Sequence, residues 1–268
     1  MPFITRRGQR IHYEHAGEGP TVVFQHGLFS RGLNWGLTGY VPRLVADHRV
    51  VWVDSLGHGE SDKPADAALY SRQERAADLV AVFDALGAEH VHLVGYSMGA
   101  WMATGVAIHH PERLASLTLG GWDPIEGPAA LARLRGPAEL ASPDALARLR
   151  GHEGFAALLA GVRARLPQLL EWVTPEVEPA LRACWSALFE LDGVAEALSA
   201  LPCPALLWSG EADEHYAGAR ACAEACGLSF LSVPGDHAQA MAAHAGLVVP
   251  RLRALFAEDK QVRALAQR

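Results

Sequence analysis

The chain has 268 residues, half of them hydrophobic and a fifth charged, which suits one large domain or one domain carrying an insertion. Lys plus Arg number 23 against 30 Asp plus Glu, a net charge of −7, so no basic surface for nucleic acid is expected. No apolar run approaches the roughly 18 residues of a membrane span, and no stretch near the start has the charged, apolar and small-residue parts of a secretory signal. These readings predict a cytoplasmic protein, monomer or homodimer, with no membrane or nucleic-acid partner.

In chain order, residues 10–15 mix β-favouring and polar residues, as a half-exposed edge strand does. Residues 21–25 (TVVFQ), 49–53 (RVVWV) and 91–94 (VHLV) are short β-branched runs that suit strands buried on both faces. Residues 65–86 carry apolar positions 69, 76, 79, 80, 83 and 86, a helical period. A helix over 99–110 stops before Pro111, and 114–119 reads as a further strand. From 124 to 198 no strand signal occurs. That stretch is rich in Ala, Leu and Arg and is punctuated by Pro128, Pro137, Pro143, Pro167, Pro175 and Pro179, so it predicts several short helices. Its pairs Arg133/Arg135 and Arg148/Arg150 read as solvated helix faces. Alternation returns with strands over 205–208 and 229–233, a helix over 217–226 between them, and a closing helix over 248–256 with Pro250 in its first turn. The tail from Asp259 reads as frayed.

Strand and helix in alternation predict an α/β fold with a doubly wound, mostly parallel sheet. The expected organisation is a core of residues 1–123 and 199–268, with a helical insertion of residues 124–198. Cys184, Cys203, Cys222 and Cys226 read as reduced thiols. Cys222 and Cys226 lie four apart, but two thiols without further partners make a poor metal site.

The strongest chemical signal is Gly95-Tyr96-Ser97-Met98-Gly99, between a strand and a helix. So tight a turn holds the serine in a strained conformation and needs small residues two before and two after it. It pushes the hydroxyl outward, ahead of a helix N-terminus that favours negative charge. Acyl transfer also needs two oriented N–H donors for an oxyanion. The backbone N–H of Met98 would supply one. That of Leu28, in His26-Gly27-Leu28 after the strand TVVFQ, would supply the other. A third element, Asp54-Ser55-Leu56-Gly57-His58-Gly59-Glu60-Ser61, follows the strand RVVWV. It offers His58 as a base, but a turn of this kind more often bonds its imidazole to nearby backbone.

These three loops, in this order and spacing, resemble the α/β-hydrolase superfamily over essentially the whole chain. The resemblance implies that residues 124–198 are a helical lid inserted after the sixth strand, and it implies the order nucleophile, acid, histidine. It assigns Ser97 as nucleophile, Asp213 after the strand ALLW as acid, and His237 after the strand LSFLSV as base. Asp123, at the end of the strand before the insertion, is the alternative acid. Many relatives carry Gly directly before the histidine, where this chain has Asp236. The roles follow from chemistry too: a serine hydroxyl needs a base within reach, an imidazole is one near neutrality, and a carboxylate fixes its tautomer. Among 13 histidines, His215 and His244 are the serious rivals to His237.

Phe29, Trp101, Trp122, Trp172, Trp185 and Phe189 are the candidate pocket residues. With Leu28 and Met98 they suggest a small-molecule substrate with an apolar part. No Arg or Lys lies in the elbow or the His-Gly-Leu segment, which argues against a strongly anionic substrate. The expected activity is hydrolysis of a small ester, lactone or thioester through an acyl-enzyme, with no cofactor and no metal. Dehalogenases and epoxide hydrolases of the superfamily need Asp where this chain has Ser97. Two alternatives stand beside the hydrolase. One is a lyase like 2-succinyl-6-hydroxy-2,4-cyclohexadiene-1-carboxylate synthase, which shares Gly-Tyr-Ser-Met-Gly but places an Arg after the elbow, where this chain has Ala100 and Trp101. The other is a non-catalytic ligand-binding module on the same fold.

Overall fold

The computed structural model describes residues 2–130 and 143–266, so Arg133, Arg135 and Pro137 lie outside the described residues. Eight strands form one sheet in the order β1-β2-β4-β3-β5-β6-β7-β8. They are β1 (Phe3–Arg6), β2 (Gln9–Ala16), β3 (Thr21–Gln25), β4 (Arg49–Val53), β5 (Val91–Tyr96), β6 (Leu114–Gly120), β7 (Ala205–Gly210) and β8 (Ser229–Val233). β1 and β2 pair antiparallel, as do β2 and β4, and every other pairing is parallel.

The continuous apolar runs are explained by two cores, one on each face. Val23, Leu93 and Leu117 face the core that holds Phe83 and Trp101. Their neighbours Val22, Phe24 and Val94 face the other, with Trp35, Trp208, Leu252 and Phe256. Helices α1 (Asn34–Leu37), α2 (Arg72–Ala85) and α3 (Met98–His109) follow β3, β4 and β5. After β6 come α4 (Pro143–Arg150), α5 (His152–Arg165), α6 (Glu178–Ala187) and α7 (Val194–Ser199), with no strand among the described residues until β7. The chain closes with α8 (Tyr216–Cys226), α9 (His237–Ala243) and α10 (Ala245–Ala266). Among the described residues no helix is long and apolar enough to cross a membrane.

Several local expectations are corrected. The strand over 10–15 is not the edge of the sheet, because β1 pairs outside it. The helix expected over 65–86 is broken at Ser71. A 3-10 turn over Ala67–Tyr70 comes first, and the Ser71 hydroxyl then accepts from the Glu74 N–H, a serine cap that starts α2 afresh. Pro250 lies in the interior of α10 rather than in its first turn, since the helix already begins at Ala245. There it forgoes one backbone hydrogen bond. The tail is helical to Ala266 rather than frayed from Asp259, in keeping with a run of good helix formers.

Candidate active site

Parallel strands gather their carboxyl ends on one edge of the sheet, where crevices form. β3, β5, β7 and β8 deliver Gly27, Ser97, Asp213 and His237 to that edge.

Ser97 has φ 56° and ψ −119°, one of two non-glycine residues with positive φ among those described. That conformation is strained for an L-residue and persists only where surrounding packing imposes it. The two glycines of the motif show why. A Cβ on Gly95 would lie 2.2 Å from the Gly99 carbonyl oxygen, and one on Gly99 would lie 2.1 Å from the Gln25 carbonyl oxygen. The elbow thus packs backbone to backbone against the end of β3, and the Ser97 N–H donates to the Gly120 carbonyl at 2.8 Å. Met98 is the first residue of α3, with Ser97 as the residue before it at the helix N-terminus.

The Leu28 loop is held by two buried histidines. His26 accepts the Ser55 N–H on Nε2 at 3.0 Å and donates from Nδ1 to the Gly27 carbonyl at 2.8 Å. Burial, against the pull of Asp54, lowers its pKa to about 4, so it is neutral. His58 donates from Nε2 to the Leu28 carbonyl at 2.7 Å, and burial with nearby His26 and Arg75 holds it well below the usual range. His58 is therefore a brace for the loop, as its turn suggested. Asp54 ties the same region together, accepting the Gly32 and Glu60 N–H groups and facing His12 Nδ1 at 2.9 Å. A Cβ on Gly27 would lie 3.2 Å from Ser97 Cβ, so the loop rests against the serine.

His237 Nδ1 donates to Asp213 Oδ2 at 2.9 Å. The same carboxylate accepts the Ser209 hydroxyl at 3.1 Å on Oδ2 and the His215 N–H at 3.0 Å on Oδ1. Partial burial, which leaves 32% of its side chain exposed, disfavours the charged form of His237. The charge and hydrogen bond of Asp213, with Glu214 and Asp236, outweigh it and raise the pKa to about 9. Burial would raise Asp213 as well, yet His237, then His215, hold it below the usual carboxylate range.

Asp236, unusual before the histidine, is the N-cap of α9. Its Oδ1 accepts the Ala238 and Gln239 N–H groups at 3.0 and 2.9 Å, and Gln239 returns a bond to the Asp236 N–H at 3.1 Å. His237 thus sits on the first residue of a capped helix. Of its rivals, His244 lies past the C-terminal end of α9, whereas His215 packs beside the pair with ring centroids 5.7 Å apart. Asp123 is fully buried; its Oδ1 accepts the Ile125 and Glu126 N–H groups, and its carboxylate abuts Gly218 of α8.

The aromatic candidates divide into two groups. Trp101, Trp122 and Trp185 are buried, each 2% exposed. Trp101 of α3 donates to the Glu190 carbonyl between α6 and α7, and Trp185 of α6 donates to the Leu149 carbonyl of α4, so each ties packed elements together. Trp122 packs on His215. Phe29, Trp172 and Phe189 are half-buried. Trp172, in the helical stretch between β6 and β7, reaches the Phe29 carbonyl at 3.3 Å, and its ring lies 5.5 Å from His58. Sequence reasoning missed Tyr96, whose hydroxyl donates to the His237 carbonyl, and Ser209, the hydroxyl on Asp213. Neither carries a local signal, because each acts on a partner distant in sequence.

The family model for the alpha/beta hydrolase fold matches residues 20–161, more than half of the chain. The chain belongs to the α/β-hydrolase fold family. It is 36% identical over 118 residues to a putative 2-succinyl-6-hydroxy-2,4-cyclohexadiene-1-carboxylate synthase of Bacillus subtilis, a match covering 42% of each chain. It is 38% identical over 121 residues to the 2-hydroxymuconate semialdehyde hydrolase of a Pseudomonas species, covering 44% of this chain and 42% of that one. These alignments thus span about two fifths of the curated relatives' length. The enol-lactonase from Burkholderia xenovorans shares the fold along the full length of both chains, with a TM-score of 0.68 and 21% identity.

Proposed function

We propose that this chain is a serine hydrolase that cleaves a carboxylic ester-type bond through an acyl-enzyme. The observation that carries the reading is the His237–Asp213 bond at 2.9 Å, on the sheet edge that also presents Ser97 in its strained elbow.

On this reading the Ser97 hydroxyl attacks the carbonyl carbon while His237 Nε2 takes its proton. The imidazolium that forms is stabilised by Asp213. The oxyanion is met by the N–H groups of Met98 and Leu28, the latter on a loop braced by His58. Collapse expels the alcohol, which receives the proton from His237. Water then repeats the sequence and frees the acid. Residues 124–198 serve as a lid, and Phe29, Trp172 and Phe189 line the acyl or alcohol pocket.

The second reading is the lyase, favoured by the identity with the Bacillus subtilis protein. Against it, position 101 is a buried Trp bonded to the Glu190 carbonyl, with no guanidinium to hold an acidic substrate. A fluorophosphonate probe and a panel of chromogenic esters, lactones and thioesters test the proposal. Ser97→Ala is expected to abolish labelling and to lower kcat by about 10⁵ to 10⁶, with the fold intact. A variant that kept a tenth of the esterase activity would overturn the mechanism.

A further inference from the structure

One group beside the proposed triad has no part in that chemistry. His215 is only 4% exposed, and its ring sits between Trp122, at 5.4 Å, and His237, at 5.7 Å. Its backbone N–H holds Asp213, but its side-chain Nδ1 is buried without a hydrogen-bond partner. Burying a polar atom without a partner costs about 1–3 kcal/mol, and an imidazole that served only to pack on Trp122 would gain nothing by it. A nitrogen from each of His215 and His237 and a carboxylate oxygen of Asp213 all lie within 4.8 Å of one another.

We propose that Asp213, His215 and His237 form a site for a borderline divalent cation of the Zn²⁺ class, and that its occupancy switches off the base. Regulation of activity in this way rests on the reading of His237 as base. The binding site itself rests only on the three side chains.

The donor set selects the ion. Two imidazole nitrogens and one carboxylate oxygen suit Zn²⁺, which takes such ligands at about 2.0–2.2 Å in a tetrahedron whose edges are then about 3.4 Å. Calcium and magnesium prefer six or more oxygens. Two of the three ligands are already buried, while the His237 side chain is 32% exposed, which gives an entry path and leaves a fourth position open to water.

The consequence for the base is stoichiometric. His237 Nδ1 binds the ion through its lone pair, so it gives up the proton it now donates to Asp213. In the neutral imidazole that proton is replaced by one on Nε2, with no net change. From the imidazolium, one proton leaves to solvent and Nε2 keeps the other. Either way Nε2 becomes an N–H, and it can no longer accept the proton of Ser97. No electron transfer is involved.

The test uses the full chain with Co²⁺ as a spectroscopic probe and Zn²⁺ as the inhibitor. The wild type and Ser97→Ala, which keeps all three ligands, should each bind one equivalent of Co²⁺ with visible tetrahedral absorption that Zn²⁺ displaces. His215→Gln should lose that band. So should His215→Phe, which keeps a ring against Trp122 but offers no ligand atom, and which stands in if the Gln variant does not fold. Zn²⁺ should inhibit ester hydrolysis by the wild type reversibly with EDTA. In the His215 variants the half-inhibiting concentration, each against its own metal-free rate, should rise at least about 100-fold, since even outer-shell changes cost 10–100-fold in metal affinity. Absence of the band in the wild type, or its persistence in both His215 variants, would overturn the site. A band that depends on His215 in a protein without esterase activity would uphold the site and overturn the hydrolase reading instead. An active enzyme that binds the ion yet is not inhibited would overturn the switch.

Discussion

The hydroxyl of Tyr96 donates to the backbone carbonyl of His237, across 141 positions of sequence. Tyr96 is the residue before Ser97, so the strand that presents the candidate nucleophile also holds the first turn of the helix that presents the candidate base. The Tyr96 ring lies 5.2 Å from the imidazole and 5.0 Å from Trp208 of β7, and burial keeps its hydroxyl protonated far above neutrality. Tyr96→Phe should therefore lose about 1 kcal/mol of stability. It should also lower kcat about tenfold with little change in KM, because it loosens the alignment of base and nucleophile. Steady-state kinetics beside a thermal melt check this. Equal loss in kcat and in substrate affinity would point to general disruption instead.

The acid is tested by two parallel substitutions. Asp213→Asn keeps the shape of the side chain but favours the wrong imidazole tautomer, with an expected loss of about 10⁴ in kcat. Asp123→Asn retains an acceptor for the Ile125 and Glu126 N–H groups that Asp123 now serves. It should lose at most about tenfold. Both are measured on one chromogenic ester, and the reverse ranking would move the acid to the end of β6.

The pH dependence follows from the same pair. On the proposed reading His237 acts as neutral imidazole, so kcat/KM should rise with pH along a limb set by His237, displaced upward from about 6.5 toward about 9. Asp213→Asn should move that limb downward. Stability should follow the opposite course on the alkaline side. A histidine raised in the folded state contributes stability that is fully present below about 6.5 and is lost as pH climbs through about 9. Asp213, held low, contributes stability that is present above about 3.9 and is lost only in strong acid. Denaturant titrations of wild type and Asp213→Asn across that range give the difference directly. A rate limb at or below 6.5 in the wild type would contradict the coupling.

The helical stretch between β6 and β7 offers a contrast between two tryptophans. Trp172 is half-buried and reaches the Phe29 carbonyl, so Trp172→Ala should shift preference among acyl lengths more than it slows the smallest ester. Trp185 is buried, bonded to the Leu149 carbonyl and packed edge-on against Phe189 at 5.4 Å. Trp185→Ala should chiefly destabilise, by about 3–5 kcal/mol. An ester series and thermal denaturation separate the two effects, and an unchanged acyl profile in Trp172→Ala would remove it from the pocket wall.

The amino-acid sequence by itself determined the parallel sheet, because buried strands must be continuously apolar and each of the inner runs is five to seven residues long in the fold. It also located the elbow, since the steric demand on Gly95 and Gly99 is met within five residues. What it left open were relations between elements distant in the chain. Asp123 and Asp213 follow adjacent parallel strands, and only the three-dimensional placement of α9 puts one of them 2.9 Å from His237. Asp236 stands where many relatives carry Gly, and its role lies in the helix it caps, because a cap has meaning only with the N–H groups it serves. The buried aromatics and half-buried ones are alike in sequence, and their division depends on what the fold packs against each ring. His215 is the same case: two residues from Asp213 in the chain, it comes beside His237 only when β8 and α9 bring that ring against it.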